Sequence, residues 1–139
     1  MYIINMSKPF HLAIPAGDLD KTEKFYTDIL GCKAYHREKG KYVDIDFWGN
    51  ELTLHKSEVK LPRENHKVDM GTVTVPHFGV HLKKEIFEKV KSNIEKNNVR
   101  YLDKPYTRYK GTEHEQNTFF IQDPNGNILE LKTLKLAVD

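Results

Sequence analysis

The sequence predicts an α+β fold in which a β-strand, an α-helix and three β-strands occur twice in succession. Three observations lead there. Apolar residues alternate at the two-residue period of strands and recur at the helical period, in the same order, in both halves of the chain. A polar stretch at about residues 58–75 separates the halves, dividing one domain of 139 residues into a first repeat at about 8–57 and a second at about 76–134. The opening strand of each half also carries the same run. His11-Leu12-Ala13-Ile14 and His77-Phe78-Gly79-Val80 both read histidine, apolar, small, apolar.

In the first half, residues 10–16 form a strand pattern, and residues 18–30 place Phe25, Tyr26, Ile29 and Leu30 at helical spacing between Asp18 as N-cap and Gly31 as the left-handed residue after the helix. Strands follow at 34–37, 42–48 and 51–55, joined by turns at Lys39-Gly40 and Gly49-Asn50. The 58–75 stretch carries Pro62 and Gly71 with few large apolar residues, which predicts a linker. The second half repeats the order: a strand at 76–82, then a helix at 84–97 with Ile86, Phe87, Val90 and Ile94 on one face and Asn97-Asn98 as its cap. Tyr101 opens another strand. Residues 117–122 and 127–133 are strands joined by Asp123-Pro124-Asn125-Gly126, a sequence suited to a type I turn.

Composition narrows the function classes. Hydrophobic residues make up 38% and charged residues 30%, as in a soluble globular protein, and no apolar run has the length of a bilayer span. The 22 basic and 20 acidic residues are scattered without a Lys/Arg block, which argues against a nucleic-acid partner. Residues 1–10 lack the pattern of a secretion signal, and Cys32 is the single cysteine, so a cytoplasmic location is expected. Cys32 itself reads as a small apolar residue at a helix end.

Side chains alternate across a strand, which sorts the candidates by face. His11 and Ala13 share one face of the first strand; His77, Gly79 and His81 share one face of its counterpart, with Phe78, Val80 and Leu82 turned towards the helix. In the last strand Leu129 and Leu131 turn towards the helix, leaving Glu130 and Lys132 on the side of the histidines. The small residues beside each histidine leave a hollow there. A carboxylate on a partly enclosed face needs compensation by a cation, a metal or several donors, and Lys132 is one candidate for that part. The other reading joins His11, His77 and Glu130 as a facial triad around one divalent metal, leaving coordination positions open to a substrate. Hydrogen-bonded imidazoles beside a Glu130–Lys132 pair satisfy the same residues.

With those residues in view, the sequence resembles the vicinal oxygen chelate superfamily, the glyoxalase, bleomycin-resistance and extradiol-dioxygenase group. The resemblance runs over nearly the whole chain, through His11-Leu12-Ala13-Ile14-Pro15, Asp18-Leu19, Phe25-Tyr26, Leu30-Gly31, Pro76-His77-Phe78-Gly79-Val80 and Asp123-Pro124-Asn125-Gly126-Asn127 leading to Leu129-Glu130. It implies two βαβββ units forming a cup-shaped mixed sheet, with His11, His77 and Glu130 as ligands of one ion: Fe2+, Mn2+ or Zn2+, with Ni2+ as a further candidate. It also implies a small-molecule substrate and a homodimer. Glyoxalase I-like members add a carboxylate ligand on the fourth strand of the first half. Counting from the turn glycines places Thr53 there, with Glu51 reachable by a register shift.

The chemistry so implied is Lewis-acid activation of a substrate chelated through two oxygens, with a nearby base moving a proton. His55 is the first candidate base and His81 the second, the latter also able to serve as a ligand. Tyr106, Arg108, Tyr109 and Lys110 are expected to form a loop able to close over an anionic or enolic substrate. The expected function is therefore a metal-dependent enzyme of dioxygenase or glyoxalase type. The alternatives are a drug-binding protein of the bleomycin-resistance kind and a thiol transferase acting on an epoxide antibiotic. Against the last, residues 111–116 lack the serine- and glycine-containing loop expected to grip a phosphonate.

Overall fold

A computed structural model describes residues 10–68 and 71–135; the stretch ahead of residue 10, read above as lacking a secretion signal, lies outside them. The first half comprises β1 (His11–Pro15), α1 (Leu19–Lys24), a π-helical turn (Phe25–Ile29), β2 (Lys33–Glu38), β3 (Tyr42–Phe47) and β4 (Asn50–His55). The sheet order is β1-β4-β3-β2, with β1 parallel to β4 and the remaining pairs antiparallel. Asp18 caps α1 by accepting from the Lys21 amide at 3.1 Å. Beyond Lys24 the helix widens, so that the Leu30 amide donates to the Phe25 carbonyl five residues back. This widening replaces the single regular helix expected over residues 18–30. Hydrophobic period does not distinguish the two, since Phe25, Tyr26 and Leu30 are buried either way.

The β3–β4 turn is Trp48-Gly49, one residue earlier than expected. Both residues have positive φ (48° and 93°), and Phe47 pairs with Asn50, as in a type I′ hairpin. A tryptophan tolerates the left-handed conformation here because its ring packs edge-on against Phe47, with centroids 4.8 Å apart, on the margin of the core. Propensity alone favours Gly and Asn at such a turn.

The stretch read as a linker contains a hairpin, β5 (Glu64–Val68) and β6 (Gly71–Val75), whose strands pair, among the described residues, only with each other. Its residues are mostly exposed, so it has no apolar face for a periodicity argument to detect. The second half then runs β7 (Phe78–His81), α2 (Lys84–Lys96), β8 (Tyr101–Arg108), β9 (Gln116–Gln122) and β10 (Ile128–Leu134). Its sheet order, β7-β10-β9-β8, has the connectivity of the first, with β7 parallel to β10. Phe87, Val90 and Ile94 form the buried stripe of α2, and Phe87 meets Phe119 of β9 at a ring distance of 5.2 Å.

One continuous core unites both halves. Ile14, Tyr26, Val43, Leu52 and Leu54 of the first belong to the same buried cluster as Phe87, Ile94, Phe119, Leu129 and Leu131 of the second. Each sheet therefore lays its helix-bearing face on shared apolar packing, and its other face turns away from that core. The turn predicted at residues 123–126 joins the halves as well. Asp123, 4% exposed, accepts from the Tyr26 hydroxyl (2.8 Å), from the Asn127 side chain (2.9 Å) and from the amides of Asn125 and Asn127 (2.9 Å each). Asn125 and Asn127 both donate to the Pro15 carbonyl at the end of β1. Burial pushes the Asp123 carboxyl above its ordinary range, against the opposing pull of these donors. Among the described residues no helix is long and apolar enough to cross a membrane. Cys32 is buried, and burial first, then nearby Asp46, pushes its thiol up to about 12, so it is an inert packing residue.

Candidate metal centre

Glu130 sits at the middle of β10, 6% exposed, opposite Gly79 on one side and Phe120 on the other. Its Oε2 accepts from Thr118 Oγ1 at 2.7 Å. Its Oε1 faces His77 Nε2 at 3.3 Å and Lys132 Nζ at 3.6 Å. Thr118 thus donates to the carboxylate, and Lys132 stands beside it in the compensating position expected of it. His77 lies just ahead of β7, with its Nδ1 2.8 Å from the Thr74 carbonyl of the β5–β6 hairpin. A carbonyl only accepts, so Nδ1 carries the proton and Nε2 is the nitrogen turned towards Glu130. The β5–β6 hairpin, which stands where a linker was expected, therefore orients this ring.

Gly79 makes the close approach of β7 and β10 feasible. A Cβ at that position would lie 1.6 Å from the Glu130 carbonyl oxygen. Its smallness serves backbone packing beside the carboxylate, beyond the hollow inferred from the sequence. Gly79→Ala is expected to destabilise the fold by about 3 kcal/mol or more, because only a shift of one strand removes the clash. Chemical denaturation checks this; an unchanged midpoint would mean that the strands part at little cost.

His11 lies elsewhere. It is exposed at the start of β1, and its Nδ1 contacts Glu51 Oε1 at 2.6 Å. Glu51 Oε2 accepts from the Tyr35 hydroxyl at 2.8 Å. Desolvation, the Glu51 hydrogen bond and the charges of Glu51, Asp44 and Asp46 push Tyr35 up to about 12, so it remains a donor at neutral pH. In register, Ala13 pairs with Thr53 as Gly79 pairs with Glu130. Thr53 thus occupies the position related to Glu130, as the count from the turn glycines gave, and it donates to Asp44 at 2.6 Å. Glu51 stands two residues earlier on the same face. Among the described residues no group of three or more His, Cys, Asp or Glu side chains converges to hold a metal ion. Within one chain, pseudo-twofold packing has not brought His11 to His77 and Glu130, because each sheet turns its histidine-bearing face away from the common core.

The remaining candidates are dispersed. His55 is exposed at the end of β4, its ring 5.6 Å from that of Tyr42. His81 pairs in register with Lys132 and lines a cavity of about 890 Å³ with Trp48, Lys83, Gln116 and Leu134. That cavity lies at the end of the second sheet and does not include Glu130, so its size alone does not make it the centre. Tyr109 is 46% exposed with φ 53°, under the Arg108 guanidinium at 5.1 Å. Tyr106 and Arg108 belong to β8, not to the loop expected, so only Tyr109 and Lys110 of that group lie in the β8–β9 connection. Sequence reasoning passed over Thr118, Thr74 and Tyr35. Thr118 was reachable from strand alternation once β9 was set beside β10, whereas Tyr35 crosses β3 from a bulge.

The donor chemistry at Glu130 fits a divalent ion. Two donors about 2.1 Å from one ion stand about 3.0 Å apart in octahedral and about 3.4 Å apart in tetrahedral geometry. The 3.3 Å between His77 Nε2 and Glu130 Oε1 falls between these values. One chain brings two such donors together here.

A fold of paired βαβββ units, with a histidine just ahead of β7 facing a glutamate on β10, defines a class. The profile of the Glyoxalase/Bleomycin resistance protein/Dioxygenase superfamily matches residues 8–131, and the chain belongs to that superfamily. It is similar to a glyoxalase/bleomycin resistance protein/dioxygenase from Alicyclobacillus acidocaldarius, with 34% identity, TM-score 0.75 and 96% of each chain covered. A lactoylglutathione lyase from Agrobacterium tumefaciens shares the fold at 22% identity, TM-score 0.66, covering 95% of this chain and 97% of that one. A virulence protein of Salmonella typhimurium is 23% identical over 121 residues, 87% of this chain and 80% of the relative.

Proposed function

We propose that the protein is a metal-dependent enzyme of the vicinal oxygen chelate type, in which His77 and Glu130 of one copy and His11 of a second copy hold one divalent ion. The observation that carries this reading is the His77–Glu130 pair: a nearly buried carboxylate, a histidine with its Nδ1 already committed to Thr74, and a donor separation suited to an ion. Charge supports a second copy. The face of the first sheet carries Asp44, Asp46 and Glu51, and the cation Lys132 lies beside Glu130 on that of the second, which favours opposed faces across copies. The chemistry supplied by the bound ion is Lewis-acid polarisation of two substrate oxygens. Iron, manganese or zinc suits such a donor set.

Lys132, 3.6 Å from Glu130 Oε1, is the cation at this site able to pair with an anionic substrate oxygen. His81, opposite Lys132 on the same face, is the group of this chain best placed to move a proton, and His55 would be contributed by the second copy. A substrate-binding protein without chemistry has no need of a buried carboxylate held ready beside an oriented histidine. The test is elemental analysis of protein purified without a histidine tag, alongside His77→Ala. About one ion per chain in the parent and none in the variant is expected. A parent that stays metal-free after reconstitution with iron, manganese, zinc and nickel would instead make drug binding the leading function.

A further inference from the structure

We infer that Glu51 and Tyr35 form a positioning relay that sets His11 in the tautomer bearing its proton on Nδ1, so that Nε2 is the nitrogen it offers to a metal. This rests on the reading above that His11 completes the centre of a second copy.

The relay follows from hydrogen-bond bookkeeping. An ionised carboxylate accepts and does not donate, so the 2.6 Å contact between His11 Nδ1 and Glu51 Oε1 requires the proton on Nδ1. The second oxygen of Glu51 is held by the Tyr35 hydroxyl at 2.8 Å, which fixes the carboxylate plane. Tyr35 reaches it because the pairing of β2 with β3 slips between Ala34 and His36, where Tyr35 leaves the regular register and spans β3 to reach β4. His77 meets the same requirement by other means, its Nδ1 lying 2.8 Å from the Thr74 carbonyl. Two histidines at related places in the two halves thus present Nε2, one oriented by a side chain and the other by the main chain. Glu51 is not the counterpart of Glu130, since Thr53 holds that register position. Its part is to orient His11, and partners of that kind change metal affinity about 10–100-fold when removed.

Ring 15N NMR of the metal-free protein, at a pH where imidazole is neutral, tests the relay directly. The parent is expected to show His11 with Nδ1 protonated and Nε2 bare. Glu51→Ala is expected to shift it towards the Nε2-protonated form, and Glu51→Gln, whose amide oxygen still accepts, to restore the parent pattern in large part. Tyr35→Phe is expected to give a smaller shift. In parallel, cobalt titration followed by visible absorption is expected to show affinity reduced about 10–100-fold in Glu51→Ala with band positions unchanged. An Nε2-protonated His11 in the parent, or no change in Glu51→Ala, overturns the relay. Altered cobalt bands in that variant overturn it too, since they would make Glu51 itself a ligand. If the parent takes up no cobalt, the metal reading fails, and the NMR result alone decides the relay.

Discussion

Neither His11→Ala nor Glu130→Ala is expected to retain metal alone, whereas co-refolding the two variants is expected to restore about one ion per mixed dimer. In a mixed dimer one centre combines both substitutions and is lost. The other combines the intact His11 of one copy with the intact His77 and Glu130 of its partner. Random pairing makes about half of the dimers mixed, so the pooled sample should recover about a quarter of the parent's metal. The expectation follows from placement: His77 and Glu130 are 3.3 Å apart in one chain, while His11 is paired with Glu51 on the other sheet. Removing Glu130 also strips Thr118 and Lys132 of their shared acceptor, so circular dichroism must accompany the metal measurement. Dimers that form but hold no metal would show that the third donor is not His11 of a second copy.

Asp123→Ala is expected to lower stability by about 3–4 kcal/mol and the unfolding midpoint by about 10–15 °C. Four donors converge on this carboxylate, from Tyr26, from the Asn127 side chain and from two main-chain amides, and an alanine leaves all of them without it in a buried position. The loss extends beyond the turn, because Asn125 and Asn127 also hold the end of β1 through the Pro15 carbonyl. Asp123→Asn, which keeps one acceptor oxygen and removes a charge that burial disfavours, is expected to cost less. Differential scanning calorimetry of the three proteins checks the order. Equal midpoints for parent and alanine variant would show that the turn is held by its neighbours alone.

Much of the fold was legible in residue order. The repeat of His11-Leu12-Ala13-Ile14 at His77-Phe78-Gly79-Val80 placed β1 and β7, and alternation placed Leu129 and Leu131 on the core and Glu130 opposite them, as observed. The hairpin at β5–β6 escaped because exposed strands carry no apolar period, and the π-helical turn escaped because burial of Phe25 and Tyr26 is the same in either helix. The polarity of Tyr106 and Arg108 suits a loop, yet they pair with Thr118 and Gln116 in β9, because strand pairing is set by a neighbour distant in sequence.

The sequence by itself determined which side chains share a face, since a strand's two-residue period is local and each neighbour is known. It thereby put Glu130 beside Lys132 and set Thr53 at the position related to Glu130. Only the tertiary structure decided which faces meet. That His77 reaches Glu130, that Thr74 orients its ring and that His11 turns to Glu51 depend on contacts between distant segments, and on how both sheets share one core. Those relations arise from packing, and no period along the chain encodes them.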